Sequence, residues 1–427
     1  MRRIAVVGSG VAGLSAAYHL RDQACVTLFE SEARLGGHAH TVDVVMDGPD
    51  GPVRHGVDTG FLVYNEKTYP GLIAWFEALG VQTAASDMSF SVQVPRAWGA
   101  RSLEWNGADL DTVFADRRNL VRPAFWGMLR DILRFNREAT RLAVAGADAE
   151  LMQPLQAFLA QQGFGQAFVH WYLLPMLGCI WSCPTDQMLA FPTATMVRFC
   201  HNHGLIQVND RPQWHTVQGG SRQYVDKVGA LLNDVHLSTP VRRVQTDDQG
   251  VTLITDQGSE RFDAVVLAGH ADQSLALWAD APAAVRDALS AIRFQDNEAV
   301  LHTDTSVMPQ RRKAWAAWNY ERAADASQES ARVCLHYWLN RLQPLPFAQD
   351  VIVSLNPVRA IAPSQILGRY AYAHPVFDAA AIRAQALLKD GCAGGGRVAL
   401  AGAWLGYGFH EDGFQSGRRA AQQVLSA

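Results

Sequence analysis

The chain has 427 residues, 48% hydrophobic and 18% charged, with a formal net charge of −4. This supplies a sizeable core and two domains, and the acidic balance excludes a global basic footprint for nucleic acid. Six cysteines (Cys25, Cys179, Cys183, Cys200, Cys334 and Cys392) form neither a C-x-x-C pair nor a zinc-site spacing, which fits reduced thiols in a cytoplasmic protein and no metal centre.

Ile4-Ala5-Val6-Val7 predicts a buried strand, followed by Gly8-Ser9-Gly10-Val11-Ala12-Gly13 and a helix start. A second strand, Val26–Phe29, ends on Glu30. Gly8 permits the tight turn, Gly10 lets backbone approach a diphosphate, and Gly13 lets helix and strand pack closely. The diphosphate then rests on the free N–H groups of the first helical turn, at Val11 and Ala12, while Glu30 accepts from a ribose. An ordinary glycine-rich βα turn is the alternative; the acid at the end of the second strand favours the nucleotide. Arg2 and Arg3 precede an apolar run as in a signal peptide, but Gly8-Ser9-Gly10 interrupts it. Nowhere do about 20 uninterrupted apolar residues occur. Phe168–Cys183 comes nearest and is broken by Pro175.

Asp58–Asn65 then predicts a strand and turn containing Gly60. From Tyr69 to about Ile206 the pattern is largely helical, with a β-ribbon at Phe90–Val94. Residues 117–141 hold seven arginines against Asp131 and Glu138, interleaved with Phe125, Trp126, Leu129, Ile132 and Leu133. Such a basic amphipathic segment suits an anionic membrane surface; a helix whose apolar side packs on its own domain is the alternative. His215–Ser221 leads into a helix, then strands at Val235–Leu237 and Pro240–Val244. A hairpin follows, Val251–Ile254 with Arg261–Leu267. Ile292–Pro375 returns to strands. Gly394–Gly396 reads as a flexible turn before a strand at Arg397–Leu400, and the last helix is expected after Gly413–Gly417. A second dinucleotide fingerprint is lacking, so a dedicated NAD(P)H site is not expected.

The run Glu30-Ser31-Glu32-Ala33-Arg34-Leu35-Gly36-Gly37-His38 resembles the extended fingerprint of flavoproteins in the amine oxidase and phytoene desaturase superfamily. The resemblance implies FAD in an α/β fold: a discontinuous, Rossmann-like FAD-binding domain (1–68, 211–285 and 396–427) with an α+β substrate domain (69–210, mostly helical, and 286–395, strand-rich). It also implies that Ser31, Arg34, Gly37 and His38 fold over the cofactor diphosphate and that the segment around Gly60 runs beside the ring. Val241 would meet the adenine through its backbone. Gly402–Gly417 resembles the closing motif, with Gly402 and backbone donors near Asp412, Gly413 and Phe414 serving the flavin. Three departures stand out. Ala403 replaces a common acid, Ile292–His302 lacks the lysine of typical amine oxidases, and the closing block lacks the cysteine that tethers flavin in some of them. Non-covalent FAD is therefore expected, and amine oxidation is disfavoured.

Finer phrases, among them His38-Ala39-His40-Thr41, Asn202-His203-Gly204-Leu205 and Gly406-Tyr407-Gly408-Phe409-His410-Glu411-Asp412-Gly413, are similar to bacterial predicted NAD/FAD-binding proteins associated with cyclopropane-fatty-acyl-phospholipid synthases. This implies a lipid acyl chain or phospholipid as substrate and oxidation or desaturation of a methyl-branched or cyclopropane chain. The synthase would be a functional partner, and the enzyme would be cytoplasmic, touching the inner face of the membrane. Trp171–Trp181 either lines an acyl tunnel or forms a proline-kinked core helix. His410 is the candidate proton relay, or else a structural histidine; Trp404 and Tyr407 are candidate aromatic walls, and His38 and His40 shape the loop over the cofactor. The alternatives are a small-molecule amine oxidase and a non-catalytic FAD-binding subunit that assists a lipid-modifying synthase.

Overall fold

Arg3–Val7 is apolar on both faces because it runs through the middle of a five-stranded parallel sheet. The computed structural model describes residues 1–146, 153–207, 211–323, 332–389 and 396–426; Cys392 and the Gly394-Gly395 part of the expected turn lie outside them. The sheet order is Asp234–His236, Cys25–Phe29, Arg3–Val7, Ala264–Leu267, Val398–Leu400, so three distant stretches of chain build one nucleotide-type sheet. One face is covered by the helices Val11–Leu20 and His410–Ser426. These two helices touch through small residues. A side chain at Gly417 would collide with the Ala12 carbonyl, one at Gly413 would meet Val11 at 2.6 Å, and Ser15 Oγ donates to the Phe414 carbonyl at 2.7 Å.

A seven-stranded sheet forms the second half: Ile366–Pro375, Phe294–His302, Ile352–Leu355, Cys334–Trp338, Trp318–Glu321, Phe90–Trp98 and Arg101–Asn106. Its pairs are antiparallel apart from Trp318–Glu321 against Phe90–Trp98. Helices Pro123–Ala145, Leu155–Gln161, Leu174–Trp181 and Thr193–Asn202 share one core with it, in which Phe125, Phe135, Leu173 and Met196 join Val92, Leu335 and Val353.

Several local expectations change. The expected hairpin after Val251 is shorter: Gly250–Thr255 pairs with Gly258–Phe262, while Ala264–Leu267 leaves to join the parallel sheet. The ribbon at Phe90 extends to Trp98 and is internal to the large sheet. The last helix begins at His410, not after Gly417, so four of the residues read as a loop, Gly413, Phe414, Ser416 and Gly417, are buried in helix. In the basic segment, Phe125, Met128, Phe135, Ala139 and Leu142 are buried against the domain, as the packing alternative requires, but Trp126 and Leu133 lie outside.

Asp58 ties the two halves together. Its buried carboxylate accepts from Ser221 N (2.9 Å), Ser221 Oγ (2.8 Å), Thr41 Oγ1 (2.6 Å) and Gln343 Nε2 (2.8 Å). Asp58→Ala would orphan those donors, and chemical denaturation should show a loss of about 3 kcal/mol; an unchanged midpoint would remove the tie.

Candidate active site

The turn between the first strand and helix is held open by its glycines. Gly8 has φ +98°, which only glycine adopts freely, and a side chain at Gly13 would collide with the Gly8 carbonyl. Gly10 is different. A Cβ there meets no protein atom within 4 Å and would stand in the cavity that Gly10 lines. The Glu30 carboxylate is fixed by Ser9 N (2.9 Å), Ser9 Oγ (2.5 Å) and Glu32 N (2.9 Å). Arg34 closes the next turn by donating to the Gly37 carbonyl at 3.0 Å and pairing with Glu32 at 3.1 Å.

These residues line one end of a continuous cavity of about 1560 Å³. That exceeds the roughly 300–1,000 Å³ of a pocket for a single small ligand, leaving room for a dinucleotide and a second molecule. Gly8, Gly10, Val11, Ala12, Glu30, Ser31, Arg34, Gly37, His38, Gly60, Gly402, Trp404 and His410 all face it. Gly13, Val241, Tyr407, Asp412, Gly413 and Phe414 are not in its wall. Val241 is buried with Phe29, Phe262 and Trp278 on the other face of the parallel sheet. Asp412 accepts from Tyr407 N (3.1 Å) and Phe409 N (3.0 Å), shaping the turn that presents His410, and burial pushes its carboxyl up to about 6. Phe414 packs on Trp75 at a centroid distance of 5.0 Å. Trp404 donates from its indole to the Gly269 carbonyl at 3.0 Å.

His410 stacks on Phe61 with ring centroids 3.6 Å apart, and its Nε2 lies 3.2 Å from Tyr224 OH. Burial pushes its imidazole down to about 3, so it is neutral at pH 7. Gly60 is required by close packing, since a side chain would strike the His38 carbonyl. His38 lies 5.6 Å from His374 and 6.1 Å from His270 by ring centroid, and burial holds all three below the ordinary imidazole range. Its Nε2 is buried with no hydrogen-bond partner among the described residues, a polar atom left facing this wall. Asn297 Nδ2 holds His374 at Nδ1 (3.0 Å). Reading the sequence missed His270 and His374. Tyr370, Tyr372 and His374 alternate along the strand Ile366–Pro375 and so share one face, the one signal that was available.

From the histidine wall the cavity continues between the large sheet and the helices. Leu129, Ile132, Tyr172, Met176, Ile180 and Leu355 line this arm. In Trp171–Trp181, Val169–Leu173 is a π-helical turn, Pro175 sits in the first turn of the buried helix Leu174–Trp181, and one side of that helix faces the arm. The acids in the cavity wall, among the described residues, are Glu30, Glu32, Asp87, Asp272 and Asp296, and Asp87 beside the arm is paired with Arg341 at 3.5 Å.

A glycine turn on a helix N-terminus, an anchored ribose-type acid and a cavity running from them into a second domain define a dinucleotide-dependent oxidoreductase with an internal substrate chamber. The chain belongs to the flavin containing amine oxidoreductase family, whose model matches residues 11–311, and it is an FAD-dependent oxidoreductase. A provisionally named flavin-containing monoamine oxidase of Mycobacterium tuberculosis, AofH, is 25% identical over 294 residues, 65% of this chain; the match spans 59% of that relative's length. Among solved structures, cyclohexylamine oxidase from Brevibacterium oxydans has a TM-score of 0.71 at 16% identity, covering 100% of this chain and 99% of its own. A CLA-producing fatty acid isomerase from P. acnes has a TM-score of 0.66 at 16% identity, covering 98% and 97%. These likenesses establish the amine-oxidase-like FAD-binding fold. The FAD fit is also physical: Gly10 leaves its Cβ direction empty at the helix N-terminus, where a diphosphate is stabilised. No helix among the described residues is long and apolar enough to cross a membrane.

Proposed function

We propose that the enzyme oxidises or desaturates a methyl-branched or cyclopropane-bearing fatty acyl chain, with FAD held non-covalently. The observation that carries this reading is the arm lined by Leu129, Ile132, Met176, Ile180 and Leu355, an apolar channel suited to a chain of methylenes. Bound FAD supplies the two-electron oxidation. The residues of this chain orient the substrate and exclude water, and His410, His374 and His38, all in the cavity wall, are the proton-relay candidates. Two further facts support an acyl substrate. The strand Phe294–His302 reaches the cavity with Phe294 and Asp296 and has no lysine, and a solved protein of similar fold is a fatty acid isomerase.

The second reading is a small-molecule amine oxidase, favoured by the amine substrates in the names of AofH and cyclohexylamine oxidase. Anaerobic mixing of the yellow holoprotein with candidate substrates separates the two. The acyl reading expects bleaching of the flavin by cyclopropane or branched-chain phospholipids and none by amines. Bleaching by amines alone overturns it, and bleaching by neither favours a non-catalytic FAD subunit. His410→Ala should keep its flavin and bleach at least about tenfold more slowly; an unchanged rate would make this histidine structural.

A further inference from the structure

We propose that the outer face of helix Pro123–Ala145 and the turn before it docks the protein on an anionic phospholipid bilayer. Inward, the helix presents Phe125, Met128 and Phe135 to the core and Leu129 and Ile132 to the apolar arm. Outward, Trp126, Arg130, Leu133 and Arg137 follow at spacings of four, three and four, which places them in one line along the exposed side. Trp126 is 49% exposed and Leu133 61%. Single exposed apolar residues are ordinary on soluble proteins; large ones alternating with arginine along one helix face are not. Trp126 also donates its indole N–H to the Leu120 carbonyl at 2.9 Å, which brings the exposed Leu120 and Val121 of the preceding turn beside it.

The charge on this face commits the occupant. Asp131 is buried against the domain, where it pairs with Arg130 at 3.4 Å and Arg134 at 3.6 Å, and Glu138 is paired with Arg141 at 2.6 Å. The Arg130 side chain is 78% exposed and Arg137 is exposed beside it, so cations stand outward between apolar side chains. Tryptophan and leucine entering the headgroup boundary, with arginines meeting lipid phosphates, is the pattern of a helix lying in a membrane surface. The same helix is one wall of the arm, so docking sets the arm beside the lipid phase. That last link rests on the acyl reading above; the docking itself does not.

Sedimentation of the holoprotein with vesicles tests it. Mixed phosphatidylcholine–phosphatidylglycerol vesicles should bind the protein about tenfold or more tightly than phosphatidylcholine alone. The double variants Arg130→Glu/Arg137→Glu and Trp126→Ser/Leu133→Ser should each lose about tenfold or more of that binding while keeping flavin content and thermal midpoint. No binding to mixed vesicles, equal binding to both kinds, or variants that bind like the parent would each overturn the proposal; selective capture of an acidic protein without vesicle binding would do the same. Vesicle binding is read without substrate, so it stands or falls independently of flavin bleaching by acyl chains.

Discussion

Gly10→Asp is expected to give a folded but colourless protein. The backbone at Gly10 has φ −62° and ψ 176°, extended geometry that any residue adopts, and aspartate is a favourable residue just ahead of a helix. Its Cβ would meet no protein atom, so the fold has no reason to object. The carboxylate, however, would stand at the helix N-terminus that receives the cofactor diphosphate. Two like charges about 4 Å apart at an effective dielectric near 20 repel by about 4 kcal/mol, or about a thousandfold in affinity. Flavin absorbance per chain after purification is the measurement, with thermal unfolding of the flavin-free parent as the reference for folding. A Gly10→Asp protein as yellow as the parent would mean that the diphosphate lies elsewhere. Gly13→Val makes the contrast: the collision with the Gly8 carbonyl is internal to the fold, so that variant should fail to accumulate as folded protein.

The same contrast explains which parts of the site could be read from sequence. Gly8, Gly10, Glu30 and Arg34 act within one short, contiguous stretch, where turn geometry and helix dipole dictate residue type, so their pattern is visible without a structure. His270 reaches the cavity from the cap of the helix Ala271–Leu277 and His374 from the strand Ile366–Pro375, and nothing local announces that they meet His38. The closing block misleads for another reason. Gly413 and Gly417 read as a loop because glycine costs about 1 kcal/mol in a helix interior. In the folded protein they are where the last helix presses on Val11 and Ala12, and tertiary packing outweighs local propensity. The basic helix was legible only as an ambiguity, since periodicity identifies an apolar side but not the fate of Trp126 and Leu133 on the other.

Stability should fall steeply as pH drops from about 6.5 to about 4. Burial pushes His410 down to about 3 and His40, His203, His302 and His374 down to about 4. In the unfolded chain each takes a proton near pH 6.5, while the folded chain stays unprotonated until much lower. Their contribution is therefore complete above pH 6.5 and is lost as pH falls through the folded values. Asp58 and Asp412 act in the opposite sense. Burial raises both to about 6, so their protonation favours the folded state at low pH, and that contribution is lost as pH rises through 6. Five histidines against two aspartates leave the unfolded chain holding about three more protons, a slope of about 4 kcal/mol per pH unit near pH 5. Release of flavin fluorescence during thermal unfolding provides the readout on holoprotein. The midpoint should fall sharply between pH 7 and pH 5, and His203→Gln should flatten the profile. A midpoint that holds or rises on acidification would contradict the assignment. Such a result would mean that these buried histidines are charged in the folded enzyme, which would remove the neutral state assigned to His410.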